Sequence, residues 1–91
     1  MAEGKTRAAQ YAAVLGASGL RMEDCTVLRF IFGGAGAATV FFYALMQADA
    51  GVVLYDMPGA DAYVVVRRGA EARVRAIAAQ CGGREDWANL Y

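Results

Sequence analysis

Histidine is absent from the 91 residues, proline occurs once and cysteine twice. Without imidazole the chain lacks the side chain most often used near neutral pH as general base, proton shuttle and metal ligand. Cys25 and Cys81 form no C-x-x-C pair, so a zinc or iron–sulfur site would need ligands that the sequence does not supply. They read as two isolated thiols; a disulfide would require the flanks of the central apolar segment to fold back together. Neither sign of charge is in excess, with nine basic and nine acidic residues, which removes the footprint of a nucleic-acid binder. Thr6, Ser18, Thr26 and Thr39 stand beside no base that the sequence reveals. No catalytic constellation emerges, and the chain reads as non-enzymatic and without a cofactor.

What the sequence has in plenty is apolar residues, 58 % of the total, much of it alanine and glycine, which add hydropathy without bulk. A chain of this length makes one small domain and hides only about 60–65 % of its unfolded surface. Ala8 to Leu15 is a weak surface helix, with Tyr11, Val14 and Leu15 on one face and Gly16 and Gly19 ending it. It has neither the apolar core of a secretory signal nor the composition of an organellar presequence.

From Phe30 to Ala48 no residue is charged, and Arg29 and Asp49 bracket the run. As one helix these 19 residues would span about 28 Å, near the roughly 30 Å of a bilayer core. Aromatic residues cluster toward its ends, and a waist of small residues, Gly33, Gly34, Gly36, Ala37 and Ala38, would let another helix pack closely. Val40, Phe41, Phe42, Tyr43, Leu45 and Met46 go nearly all round the helix, as expected of one surrounded by lipid or by a large protein. Arg21 and Arg29 before the run, against no basic residue until Arg67 after it, place the N-terminus on the positive-inside side.

After Asp49 the pattern changes. VVLY (52–55) and AYVVV (62–66) flank Asp56-Met57-Pro58-Gly59, which predicts a hairpin with a type II turn. Ala70, Val74, Ile77, Ala78 and Cys81 recur at helical spacing and predict an amphipathic helix over 70–81, stopped by Gly82-Gly83. Arg67, Arg68, Arg73 and Arg75 form a basic cluster, either a seat for anionic headgroups or the polar face of that helix. Trp87, Leu90 and Tyr91 are apolar anchors in a tail with no helix of its own, which docks on a partner or on the 70–81 helix.

A second organisation fits the same residues. Strand-like VLRFIF (27–32), then Gly34-x-Gly36-x-x-Thr39, an apolar helix to Gln47 and a strand ending in Asp56 resemble the first βαβ unit of the dinucleotide-binding fold. That resemblance implies that Gly34 and Gly36 approach a pyrophosphate at the helix N-terminus and that Asp56 binds the ribose. It covers residues 27 to 56, and Thr39 replaces the third glycine of the strict pattern.

The primary expectation is a mainly α protein: an N-terminal extramembrane segment (1–25), a single transmembrane helix (26–48) and a C-terminal extramembrane segment (49–91). Its expected role is that of a non-catalytic accessory subunit in a larger membrane complex, with a mitochondrial inner-membrane energy-transducing assembly as the setting. Expected partners are the bilayer and other membrane subunits, with no nucleic acid. Gly33, Gly34, Gly36, Ala37 and Ala38 would pack helices, and Val74, Ile77, Trp87 and Tyr91 would bind a partner. The alternative is a small soluble α+β domain with a βαβ unit, a dinucleotide- or phosphate-binding module using loop 33–36 with Gly34, Gly36 and Asp56. A further rival is a small α+β interaction domain acting through an exposed surface.

Overall fold

The uncharged run from Phe30 to Ala48 is two elements separated by a bend. In the computed structural model, which describes residues 6–91, strand β1 (Cys25–Ile31) ends before Phe32-Gly33-Gly34, and helix α2 (Ala35–Ala48) begins after them. A helix of 14 residues is about 21 Å long, well short of a bilayer core. Among the described residues no helix is long and apolar enough to cross a membrane. The expected transmembrane helix over 26–48 is therefore corrected, and with it the mainly α class and the assignment to a membrane, mitochondrial or other. The described chain is an α+β fold with three α-helices and a four-stranded antiparallel sheet.

Each element has a local cause. Helix α1 (Arg7–Ala17) starts where the Thr6 hydroxyl accepts the Ala9 N–H at 3.0 Å, satisfying one of the free donors of the first turn. It closes with Gly19 at φ +79° and the Leu20 N–H reaching back to the Leu15 carbonyl, the six-to-one bond of a Schellman motif. A short 3-10 turn (Met22–Asp24) leads into β1. Strands β2 (Val52–Asp56) and β3 (Asp61–Arg67) form the expected hairpin, with Gly59 at φ +86°. Helix α3 (Glu71–Gln80) closes on Gly82-Gly83, and the last strand is the three-residue β4 (Arg84–Asp86).

The strands lie in the order β2-β3-β1-β4. β1 pairs antiparallel with β3 along its whole length, from Cys25 opposite Arg67 to Ile31 opposite Asp61. The chain order β1-α2-β2-β3-α3-β4 with β3 lying between β1 and β2 is a split βαβ arrangement. It differs from the unit of the dinucleotide-binding fold, in which the two strands belong to a parallel sheet.

Helices cover both faces of the sheet. On one, α2 and α3 bury Ala38, Phe41, Leu45, Val74 and Ala78 against Leu28, Phe30, Ala62, Val64 and Val66. The Phe41 ring meets Phe30 edge-on at 5.5 Å and Phe32 at 5.1 Å, a geometry that adds to plain area burial. On the other face Tyr11 and Leu15 of α1 pack on Cys25, Tyr63 and Val65. Strand β3 lies between the two clusters, which is why AYVVV reads as an unbroken apolar run and every residue from Ala62 to Val66 is buried. Cys25 and Cys81 belong to opposite faces and are both free.

Candidate interaction surface

The polar positions that the sequence singled out are mostly committed to the fold. Asp56, at the end of β2, accepts the Tyr11 hydroxyl at 2.8 Å and lies 3.4 Å from the Arg7 guanidinium. The Arg7 guanidinium in turn sits 4.2 Å from the Tyr63 ring centre, a cation–π distance. Asp56 therefore ties α1 to the β2–β3 hairpin and faces away from the α2 N-terminus. Burial raises the Tyr11 phenol well above its ordinary range, with the Asp56 carboxylate adding in the same direction, so the hydroxyl stays a donor. Arg29 pairs with Asp61 and donates to the Trp87 carbonyl at 3.1 Å, which anchors the start of the tail. Of the basic cluster, Arg68 donates to the Glu23 carbonyl, Arg73 to the Ala48 carbonyl at the end of α2, and Arg75 pairs with Glu85.

The small residues of the waist divide in the same way. Ala38 is fully buried on the sheet and Ala37 packs beside that cluster, whereas Gly33 and Gly36 are exposed. Gly34 is the N-cap of α2 and supplies no side-chain cap; the first turn holds no acid. A Cβ at Gly33, Gly34 or Gly36 would meet no atom within 4 Å, so the start of this helix is bare. The four residues expected to bind a partner also separate. Val74 is wholly buried and Ile77 half-buried in the α2–α3 cluster, while Trp87 and Tyr91 remain exposed, at 66 % and 88 %.

The sheet has two edges, and they differ. At one, β4 matches β1 only over Arg29, Phe30 and Ile31. After Asp86 the tail turns aside to the α1 face, where Ala88 and Leu90 pack and the Ala8 N–H bonds the Leu90 carbonyl at 2.9 Å. Cys25 to Leu28 are thus paired with β3 on one side and with no described strand on the other. A cleft of about 510 Å³ opens there, with Met22, Val27, Trp87 and Leu90 among its apolar walls and Thr26 and Arg75 among its polar ones. Strand alternation sends Thr26 and Leu28 to the α3 face and Val27 to the α1 face.

At the other edge, β2 is apolar from Val52 to Tyr55, and grooves run along both sides of it. Thr39, Phe42, Tyr55 and Met57 line one, Leu45, Met46, Asp49 and Val52 a second, and Gln10, Val14 and Leu54 a third on the α1 side. The Tyr55 hydroxyl donates to the Ala38 carbonyl at 2.7 Å, and burial pushes its pKa up to about 12. The signals for both edges were present but faint in the sequence: β4 is three charged residues, and nothing in a single sequence marks a strand that stops halfway along its neighbour. The chain matches no family model, no curated protein and no solved structure.

Proposed function

We propose that this chain is a non-catalytic protein-interaction domain that accepts an extended segment of another protein as an added strand beside the first half of β1. The observation that carries the reading is the shortness of β4, which leaves the outer side of Thr26–Leu28 without a strand neighbour beside an open cleft, the Cys25 N–H being taken by the Met22 carbonyl. An unpaired stretch of strand presents backbone donors and acceptors in a fixed row, and an extended segment satisfies them in turn. Side-chain preference follows from the walls. Residues of the incoming strand that point to the α1 face meet Met22, Val27, Trp87 and Leu90, and those on the other face meet Thr26 and Arg75. The ligand is therefore a segment of about four residues with bulky aliphatic side chains at alternate positions. Fold alone does not name an activity, so the reading rests on this site.

The test is an amide-shift titration with capped peptides that alternate isoleucine and threonine. Shifts confined to Thr26–Leu28 and the Trp87 indole, weakened at least tenfold in Trp87→Ala, support the reading. Saturable shifts elsewhere, or none at millimolar peptide, overturn it.

The bare glycine start of α2 favours a second reading, in which a phosphate group sits on the free N–H groups of residues 34–37. This keeps the phosphate part of the βαβ alternative and drops Asp56 as a ribose ligand, because Tyr11 and Arg7 hold it. Titration with inorganic phosphate or pyrophosphate distinguishes the two: shifts at 34–37 belong to this reading, shifts at 26–28 to the first.

A further inference from the structure

The residues that follow β4 leave the sheet although its register runs on into them. β4 pairs Arg84 with Ile31, Glu85 with Phe30 and Asp86 with Arg29. Continued step by step, the same register sets Trp87 opposite Leu28, Ala88 opposite Val27, Asn89 opposite Thr26 and Leu90 opposite Cys25. Strand alternation fits as well. Glu85 reaches Arg75 of α3, so Trp87 and Asn89 would follow it to the α3 face, with Ala88 and Leu90 on the α1 face. Ala88 and Leu90 already pack on that face.

The backbone groups match too. The Phe32 N–H bonds the Ala60 carbonyl, so by alternation Thr26 and Leu28 bond toward β3, and Val27 turns its N–H and C=O to the side with no described strand. The Cys25 carbonyl points the same way, while its N–H is held by Met22. A few contacts keep residues 87–90 aside. The Leu90 carbonyl accepts the Ala8 N–H at 2.9 Å and the Trp87 carbonyl accepts Arg29 at 3.1 Å, and the N–H groups of Trp87 and Tyr91 turn onto the side chains of Asp86 and Asn89.

We infer that residues 87–90 are a built-in strap for the slot beside β1: they zip onto Cys25–Leu28 as a continuation of β4, in exchange with their docked position, and a ligand strand enters when they are away. On closing, Val27 and Ala88 trade both backbone bonds and the Leu90 N–H reaches the Cys25 carbonyl. Three bonds are gained for the four given up, which leaves the docked position favoured and the closed one a minor state, on the order of 1–10 %. The Trp87 indole, 66 % exposed when docked, passes to the α3 face beside Arg75. The exchange stands by itself; its effect on ligand entry rests on the reading of β1 as a strand slot.

The first experiment is amide relaxation dispersion on the full chain without peptide. Val27, Ala88 and the Trp87 indole should share one exchange rate and one minor population. Ala88→Pro, which removes the N–H that closure needs, should abolish the exchange at Val27. A flat profile at Val27, or exchange there that survives Ala88→Pro, overturns the inference. The second is a cross-link, made in a chain carrying Cys25→Ala and Cys81→Ala. Thr26→Cys with Asn89→Cys sets two thiols directly opposite on one face of the closed ladder, about 4.5 Å apart at Cα, whereas Thr26→Cys with Ala88→Cys sets them on opposite faces. Air oxidation should join the first pair at least tenfold faster than the second; equal rates overturn the inference. The joined 26–89 chain should lose the shifts that the isoleucine–threonine peptide causes at Val27 and Leu28 and regain them on reduction, and shifts that persist overturn the competition. A parent chain that binds no peptide overturns the slot reading and the competition with it, while the strap's exchange is still decided by the dispersion.

Discussion

Gly83 is the residue at which the smallest change meets the firmest obstacle. A Cβ placed there would lie 2.6 Å from the Phe32 ring and 3.2 Å from the Ala78 carbonyl, and Phe32 is itself held by Phe41. The same residue donates its N–H to Ala78 at 2.8 Å to close α3, so it cannot shift without opening the helix end. Gly83→Ala is expected to cost about 1–3 kcal/mol, as overpacked sites do. In a domain of this size that lowers Tm by roughly 4–8 °C per kcal/mol, which a calorimetric scan reads directly. Asp56 offers a test of a different kind. Asp56→Ala removes the acceptor of the nearly buried Tyr11 hydroxyl and one partner of Arg7, at about 1–2 kcal/mol, whereas Asp56→Asn keeps an acceptor and loses less. Equal loss in both variants would show that charge, rather than the hydrogen bond to Tyr11, is what matters there.

At the scale of elements, α3 is held to β1 by one carboxylate in addition to the packing of Val74 and Ala78. Glu71 accepts the Gly69 N–H and the Thr26 hydroxyl, at 2.7 and 2.8 Å. Hydrogen bonds from its own backbone N–H, then Thr26 and Gly69, hold its pKa below the ordinary 4.5. A carboxylate depressed in the native state stabilises the fold above the unfolded value and loses that contribution as pH falls through the native one. Stability should thus decline below about pH 4.5 in the parent, and denaturant melts of Glu71→Gln should show a shallower decline over the same range. An identical decline in the variant would assign the acid sensitivity to other groups.

The hairpin and α3 were legible in the sequence because their signals are local. β-branched runs either side of Pro58-Gly59 leave little choice but two paired strands, and the expected helix over 70–81 is found at Glu71–Gln80. The run from Phe30 to Ala48 misled for an equally physical reason. A strand buried on one face, a tight bend and a short helix packed on a sheet are as free of charge as a membrane span, and length alone does not separate them. The three glycines at 33, 34 and 36, which weaken a helix by about 1 kcal/mol each, were the signal that the run breaks. Apolar residues all round α2 come from two sources: Ala38, Phe41 and Leu45 face the sheet, and Val40, Tyr43 and Met46 face out. The partners of Asp56 were illegible because Tyr11 and Arg7 lie 45 and 49 positions away.

For the whole molecule, the account comes down to a sheet covered by helices on both faces, with one edge half-finished and the other formed by the mostly apolar β2. Burial of β3 on both sides makes the centre of the sheet its most stable part, and opening free energies should fall from there toward either edge. Amide hydrogen exchange resolved along Cys25–Ala48 tests this most directly. The account predicts protection of nearly every amide from Arg29 to Ile31, where β1 has neighbours on both sides, and of Cys25, bonded to the Met22 carbonyl, and Thr26 and Leu28, which face β3, with Val27 left to exchange. Phe32, whose N–H bonds the Ala60 carbonyl, should still be protected, exchange should then be fast at Gly33 and Gly34, and helical protection should begin within α2. Unbroken protection from Phe30 through Ala48 would contradict the fold, and protection of the Val27 amide in the isolated chain would contradict the open strand slot.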